Sequence, residues 1–377
     1  MSKVKVDEIE SSSGGGLTAK ITNNLSNRNL VINGAMQVAQ RGTSATAEGY
    51  QTVDRFQYDA GGEDETITQA QVDVASGTTP YTLGFRKAFR LTNGNQTGGA
   101  GASDYVQPVH RFEAQDIANS GWNYTSSSSF ITLSFWVKSS VAGDYTLNFE
   151  TLDGTAYRYL MEYTLSADTW TKVTKTIPGN SNLTFNNDTG HGATIMLYPF
   201  LGSTYVQADQ ENNWYASSNN KFGTTSTTSW WTTNDATWEI TGVQLEVGDY
   251  ATDFEHRSYA DELRRCQRYY FRQTLANNDF FGIGFAANDS FGDVAVQFPV
   301  SMRAKPTGLE QTGTAGDYKL ARRTSSTTCS AVPTFSNSTE NFGTLTWTTG
   351  SGMSGGECVF MQSTGDDHFL GWTGAEL

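Results

Sequence analysis

The chain is poor in charge, cysteine and histidine, and it contains no long apolar run. Charged residues make up only 17% of its 377 positions, and 39 Asp and Glu against 25 Lys and Arg leave a formal net charge of −14. Such a balance repels phosphate backbones and argues against nucleic-acid binding, which draws most of its affinity from Lys and Arg. The three cysteines, Cys266, Cys329 and Cys358, are odd in number and lack CxxC spacing. Neither a disulfide framework nor a zinc ribbon is written here, and free thiols are expected. His110, His191, His256 and His368 show no HxxxH spacing, so no transition-metal site is proposed and no cofactor is expected. No stretch approaches the ~20 apolar residues that cross a bilayer, and the opening MSKVKVDEIE lacks an apolar signal region. The expectation is synthesis in the cytoplasm of the producing cell, solubility and no membrane insertion. Internal repeats, heptads and collagen-like glycine repeats are also missing, which excludes a long fibrous shaft.

What is present points to β-structure. Glycine reaches 38 copies and Ser, Thr and Asn fill much of the remainder, as short strands joined by many turns require. Period-two runs at 85–91, 130–137, 145–149, 170–177 and 195–198 are separated by polar, turn-rich loops, and a second series follows at 280–285, 294–300, 345–347 and 357–361. The expected fold is all-β, a jelly-roll-like sandwich followed by a short helix and a second, smaller sandwich. The divisions read 1–28, 29–255, 256–273 for a helical connector, and 274–377. Residues 1–28 begin with an alternating Val4, Val6 and Ile9 ahead of SSSGGG. That tip either docks into a partner by adding to a sheet edge or frays as termini do.

The segment WEITGVQLEVGDYATDFEHRSYADELRRCQRYYFR, 238–272, starts with alternation at Trp238, Ile240, Val243, Leu245 and Val247 and changes to a helical stripe at Tyr259, Leu263, Cys266 and Tyr270. Arg257, Arg264, Arg265, Arg268 and Arg272 belong on the helix's wet face. Either the stripe caps its own sandwich, or stripes from three chains meet along an axis as an oligomer interface. This segment resembles the one that closes the carbohydrate-binding-module-like domain of many bacteriophage tail fibre and virion structural proteins. Two further islands are similar to the same family: Asn33-Gly34 with Gln40-Arg41-Gly42 and Asp54-Arg55-Phe56, and FPVSMRAKPT, in which Pro299 and Pro306 bracket Met302 and Arg303. In the first island Val31, Met36, Val38 and Phe56 are expected to point inward. The resemblance implies a homotrimeric appendage of a virion, held to other virion proteins through its N-terminal segment and attached without catalysis to host surface polysaccharide. An architectural component of capsid, collar or tail is the alternative, and a polysaccharide depolymerase a third.

Few motifs carry chemistry. Gly352-Met353-Ser354-Gly355-Gly356 satisfies GxSxG, with Asp366 and His368 after it, but a strand follows in place of the helix that a nucleophile elbow needs. Gly282-Ile283-Gly284-Phe285-Ala286-Ala287 matches a dinucleotide fingerprint on paper and opens no helix. Glu63, Asp64 and Glu65, or Asp366 and Asp367, are solvated loop charges, oxygen ligands for a structural calcium, or an acid pair for glycoside cleavage. No catalytic residue is assigned. The polar stretch YVQADQENNWYASSNNKFGTTSTTSWW keeps five large rings, Tyr205, Trp214, Tyr215, Trp230 and Trp231. A sugar's apolar face stacks on such rings while its hydroxyls need the Asn, Gln and Asp around them. The alternative for these five is packing at the sandwich end or at a subunit contact.

Overall fold

The computed structural model describes residues 27–217 and 220–377. Val4, Val6 and Ile9 lie outside them. In the first unit the strands are β1 Ser44–Ala45, β2 Phe56–Gly61, β3 Thr68–Asp73, β4 Lys87–Thr92, β5 Tyr105–Glu113, β6 Phe130–Ser139, β7 Gly143–Thr151, β8 Tyr157–Leu165, β9 Thr171–Pro178, β10 His191–Tyr198, β11 Phe200–Leu201, β12 Trp214–Ala216 and β13 Thr237–Val247. They build a six-stranded sheet ordered β1-β3-β4-β13-β6-β9 and a seven-stranded sheet ordered β11-β5-β10-β7-β8-β12, with β2 also on β5. Alternate residues of the two sheets meet in one core. Phe89, Leu133, Phe135, Trp238, Ile240 and Leu245 come from the first sheet, and Phe112, Leu147, Phe149, Met161, Ile195 and Leu197 from the second. The all-β sandwich follows from this period-two burial.

The alternation in β13 slips by one residue between Ile240 and Val243, and there the pairing with β6 shifts register between Thr241 and Gln244. Gly242 sits at the slip with φ +63°, and a Cβ on it would lie 2.6 Å from the Phe85 ring. Only glycine meets both demands, and the bulge keeps Trp238, Ile240, Val243 and Leu245 all inward.

Strands β14 Phe271–Leu275, β15 Phe280–Ala286, β16 Phe291–Gln297, β17 Gly308–Gln311, β18 Tyr318–Ala321, β19 Ser326–Thr328, β20 Ala331–Ser338, β21 Phe342–Thr348, β22 Cys358–Ser363 and β23 His368–Thr373 follow. A three-stranded sheet, β14-β23-β17, covers one face of a seven-stranded sheet, β19-β18-β22-β15-β16-β21-β20, around Val294, Leu345, Trp347, Met361, Leu370 and Trp372. The dinucleotide-like glycines lie inside β15. A Cβ on Gly284 would fall 1.9 Å from the Asp293 carbonyl, so this glycine serves strand packing and no helix N-terminus is near it.

Helix α1 Thr79–Thr82, α2 Ala114–Ala118 and α3 Thr228–Trp231 are single turns, while α4 Tyr259–Gln267 is longer. Ser258 caps α4, accepting from the Asp261 amide at 3.2 Å. Its stripe turns into the chain's own body. Cys266 and Tyr270 are 1% exposed, Leu263 is half-buried and Tyr259 alone is open. Of the two readings of the stripe, the three-chain contact loses two of its four residues, because a side chain already packed in its own core offers a partner no surface. Tyr270 also lies past the helix end. Arg257 and Arg268, expected on the wet face, turn inward to ion pairs with Glu255 and Glu262 and with Glu113.

The three islands of resemblance meet in space at the joint between the two sandwiches. Asn33 stays out of regular strand and uses its amide group to hold the Val38 and Asp54 carbonyls and the Val38 amide. Val31, Met36, Val38 and Phe56 are buried as expected. Gln40 donates to the Tyr270 carbonyl. Arg41 lies 3.5 Å over the Tyr270 ring and binds Glu376 through two bonds of 2.9 Å. Arg55 covers the Tyr269 ring at 3.5 Å. Arg303 donates to the carbonyls of Thr189, Ala375 and Glu376. Burial pushes the Asp54 and Glu376 carboxyls up, against the pull of Gln40 on the first and Arg41 on the second.

Candidate functional site

A cleft of about 440 Å³ crosses the outer face of the first unit's seven-stranded sheet. Period two places its floor. Along β5, Val106, His110 and Phe112 face the core, which turns Tyr105, Gln107, Val109 and Arg111 outward; along β10 the outward set is His191, Thr194, Met196 and Tyr198. Asn148 and Glu150 of β7 continue this face. Val109, Met196, Tyr198 and Leu201 form a small apolar cluster there, separate from the main core.

Residues 203–217 and 220–224 fold back over this sheet and supply a wall. Its own backbone pairs Phe222 N with the Tyr205 carbonyl at 2.9 Å and Gln207 N with the Gly223 carbonyl at 2.8 Å. The sheet then pins it: Asn148 Nδ2 donates to the Phe222 carbonyl at 2.7 Å, the Thr224 amide to Thr146 Oγ1 at 2.9 Å, and Arg158 to the Lys221 carbonyl at 3.0 Å. Tyr205 meets Tyr105 edge to face at 6.0 Å and Phe222 at 5.5 Å. Arg158 lies 4.0 Å over the Phe222 ring and pairs with Glu150 at 2.8 Å. The aromatic wall is held before any ligand arrives, which lowers the ordering cost of binding.

Few of the cleft's charges are free. Glu150 is the single carboxylate among the described lining residues; burial raises its carboxyl against the pull of Arg158. Burial, and then Arg111, pull His191 down to about 4, so at neutral pH it is an uncharged ring bonded at 2.6 Å to Thr194 Oγ1. Burial raises the Tyr105 and Tyr198 hydroxyls, which stay protonated. Thr194 and Tyr198 are buried with their hydroxyls bonded within the chain, so Gln107, Asn220 and the Tyr105 hydroxyl are the neutral groups left for a ligand beside the half-open rings. Because the His191 value in the folded chain lies below the ordinary 6.5, the unfolded chain takes up the proton first, and this stability, complete above pH 6.5, drains as pH falls toward 4. His191→Gln is expected to flatten that part of the melting profile by on the order of 2 kcal/mol after allowance for partial exposure. Melting temperatures recorded from pH 7 to 4 would show it, and equal slopes for both chains would refute it.

Of the five rings picked from the sequence, Tyr205 alone lines the cleft. Tyr215 sits beside it on β12, with its hydroxyl spent on the Lys221 carbonyl. Trp214 packs on Tyr159 and Phe149 and donates to the Pro178 carbonyl at 2.7 Å. Trp230 and Trp231 are fully buried. Trp231 stacks on Phe200 at 4.8 Å and donates to the Gly99 carbonyl at 2.7 Å, so these two rings are core and cannot touch a ligand. Tyr105, Gln107, Arg111, His191, Thr194 and Phe222 were missed. The signal available was their type, since outward positions that carry Tyr, Gln, Arg, His and Met suit a binding face better than a plain wet one.

Other candidates resolve differently. Ser354 lies in the loop between β21 and β22, its amide donating to Glu357, whereas His368 engages Ser363 and Asp317. Ser354 and His368 therefore form no dyad. Asp64 accepts from the Gly98 amide, Glu65 from the Asn95 amide and Asp366 from the Asn277 amide, so these acids staple loops. A larger hollow of about 570 Å³ is lined by Arg28, Asn29, Asp116, Glu246 and Arg265 and borders Asn27.

No protein-family model matches the chain, and no curated protein does. Solved structures share parts of its trace. The enzymatically active domain of tailspike protein 4 of bacteriophage CBA120 is 11% identical over 58% of this chain, with a TM-score of 0.31; the match spans 21% of that chain, about a fifth of its length. The family 11 carbohydrate-binding module of the cellulosomal cellulase Lic26A-Cel5E of Clostridium thermocellum is 13% identical over 57% of this chain and 98% of its own, with a TM-score of 0.26. The CBM22-1 and GH10 modules of endo-1,4-β-D-xylanase 10B of Clostridium thermocellum, complexed with xylohexaose, are 10% identical over 62% of this chain and 30% of theirs, with a TM-score of 0.28. Similarity at that level leaves the cleft to be read from its own residues.

Proposed function

We propose that the cleft binds a surface glycan without cleaving it, and that the chain does so as part of a tail fibre or similar appendage of a bacteriophage virion. One observation carries the binding reading: a pinned aromatic wall, Tyr105, Tyr205 and Phe222, stands beside the neutral hydrogen-bonding groups of Gln107 and Asn220. A pyranose ring needs that pairing, because its carbon face sheds water onto a ring while its hydroxyls keep partners. The lone carboxylate, Glu150, is held by Arg158, and glycoside cleavage ordinarily asks for two carboxylates. The virion setting rests on the three sequence islands that resemble phage fibres and is part of the same proposal.

The test is a glycan array together with affinity electrophoresis on bacterial surface polysaccharides, comparing the wild type with Tyr205→Ala and Tyr105→Ala. Loss of one stacking ring is expected to weaken binding about tenfold, on the order of 1.4 kcal/mol, with the melting temperature little changed. No reducing ends should appear on long incubation. Binding that survives both substitutions would sink the cleft assignment, and release of reducing ends would sink the non-catalytic one.

A further inference from the structure

The outer face of the C-terminal seven-stranded sheet is open and apolar. Phe280, Ile283, Phe285, Phe342 and Phe360 are 41–57% exposed. They are contiguous through the strand register: Ile283 stands opposite Phe360, and Phe285 opposite Cys358, while the Phe280 and Phe360 rings lie 5.2 Å apart. Phe342 stands on the same face two strands from β15, across Gln297 of β16. At about half of a phenylalanine's area each, these residues expose roughly 500 Å² of apolar surface. That is within the range of the largest patch on a typical monomer and a large share of the ~800 Å² per partner of a stable interface.

Three polar side chains of the face, Thr346, Gln362 and Lys319, are bonded within the chain. Thr346 donates to Asp293 at 2.8 Å, Gln362 to the Asn278 carbonyl at 2.9 Å, and Lys319 to Asn278 Oδ1. Covering the face would orphan none of these bonds. Copies of a chain with net charge −14 repel one another, and association is least opposed where charge is sparse; here Asp293 and Lys319 offset each other.

We propose that this face is the contact through which the chain binds a second copy of itself, sheet against sheet. Two pleated faces pack about 10 Å apart and interlock their alternate side chains, and a self-complementary aromatic surface suits that contact. Self-association, one of the two readings of the stripe on α4, is thereby placed on the C-terminal sheet instead.

Cys358 provides a built-in reporter, since it is exposed on this face whereas Cys266 and Cys329 are buried. The experiment is sedimentation of the full chain from 0.1 to 50 µM, with maleimide labelling of Cys358 across the same range, for wild type and F285K/F360E. Both substituted side chains are about half exposed, so the variant is expected to keep the wild-type circular dichroism. The wild type should sediment at a multiple of 41.2 kDa and the variant at 41.2 kDa. Cys358 should label at least tenfold faster in the variant and on dilution of the wild type. A wild type that stays at 41.2 kDa, or an oligomer that survives the double substitution, overturns the proposal. If the variant misfolds, the dilution dependence of wild-type labelling decides: a constant rate overturns the proposal.

Discussion

Trp231→Ala should lower the stability of the first sandwich by about 3–5 kcal/mol, the usual cost of emptying a core position of its largest side chain. Trp231 is fully buried, its ring stacks on Phe200, and its Nε1 donates to the Gly99 carbonyl. Alanine removes the ring and leaves that carbonyl short of a partner. For a unit of this size the melting temperature should fall by on the order of 10 °C. Tyr205→Ala, at a half-exposed position nearby, should shift it far less. Thermal melts of the two variants decide between core and ligand platform for the paired tryptophans: if Trp231→Ala melts with the wild type, the buried placement is refuted.

A comparable loss is expected at the joint. Arg41→Ala withdraws two bonds from Glu376 and the ion pair with Glu310 at 3.2 Å, and it uncovers the Tyr270 ring. Removing one partner strands the other carboxylate where water barely reaches, a change that costs about 3–5 kcal/mol at buried pairs. The Arg41 and Glu376 side chains are 9% and 17% exposed, so the lower end, about 3 kcal/mol, is the expected value. Lysine at position 41 should recover little, since one ammonium cannot reproduce the paired guanidinium bonds. Urea unfolding should show an earlier midpoint in both variants, with the two sandwiches ceasing to unfold as a unit. A midpoint equal to wild type would mean that the joint is held without Arg41.

The strands that could be read from the chain were those whose apolar residues alternate cleanly. In β6, FITLSFWV places Ile131, Leu133, Phe135 and Val137 on one face, whereas the bulge of β13 was read as unbroken alternation although the spacing from Ile240 to Val243 is three. Strand β5 was passed over because YVQPVHRFE carries large residues on both faces, a consequence of having core on one side and a cleft on the other. The cleft itself joins residues about a hundred positions apart, Tyr105 and Arg111 with His191, Tyr205 and Phe222, and no local pattern announces that meeting. Trp230 and Trp231 misled for a related reason: a one-turn helix is too short to reveal a buried face by periodicity, and its polar neighbours look like an exposed loop. The motifs on which the resemblance to phage fibres rests fall at the joint, on Asn33, Arg41, Arg55, Arg268 and Arg303. Likeness in those motifs therefore speaks to how the sandwiches are fastened, and the glycan reading depends on other residues.

Strand β5 has a mechanical consequence. One end carries Tyr105 and Gln107 in the cleft, and the other ends at Glu113, fully buried and gripped by Arg268 Nε and Nη2 at 2.7 and 2.8 Å and by the Tyr269 hydroxyl at 2.6 Å. Between them β5 is bonded to β10 and β11 on one side and to β2 on the other. A pull on anything lodged in the cleft would travel along the strand axis, perpendicular to those antiparallel bonds, and would load them together in shear. Yielding would require the whole ladder to fail at once, so β5 would pass such a load to Arg268 and Tyr269, the residues that lead into β14.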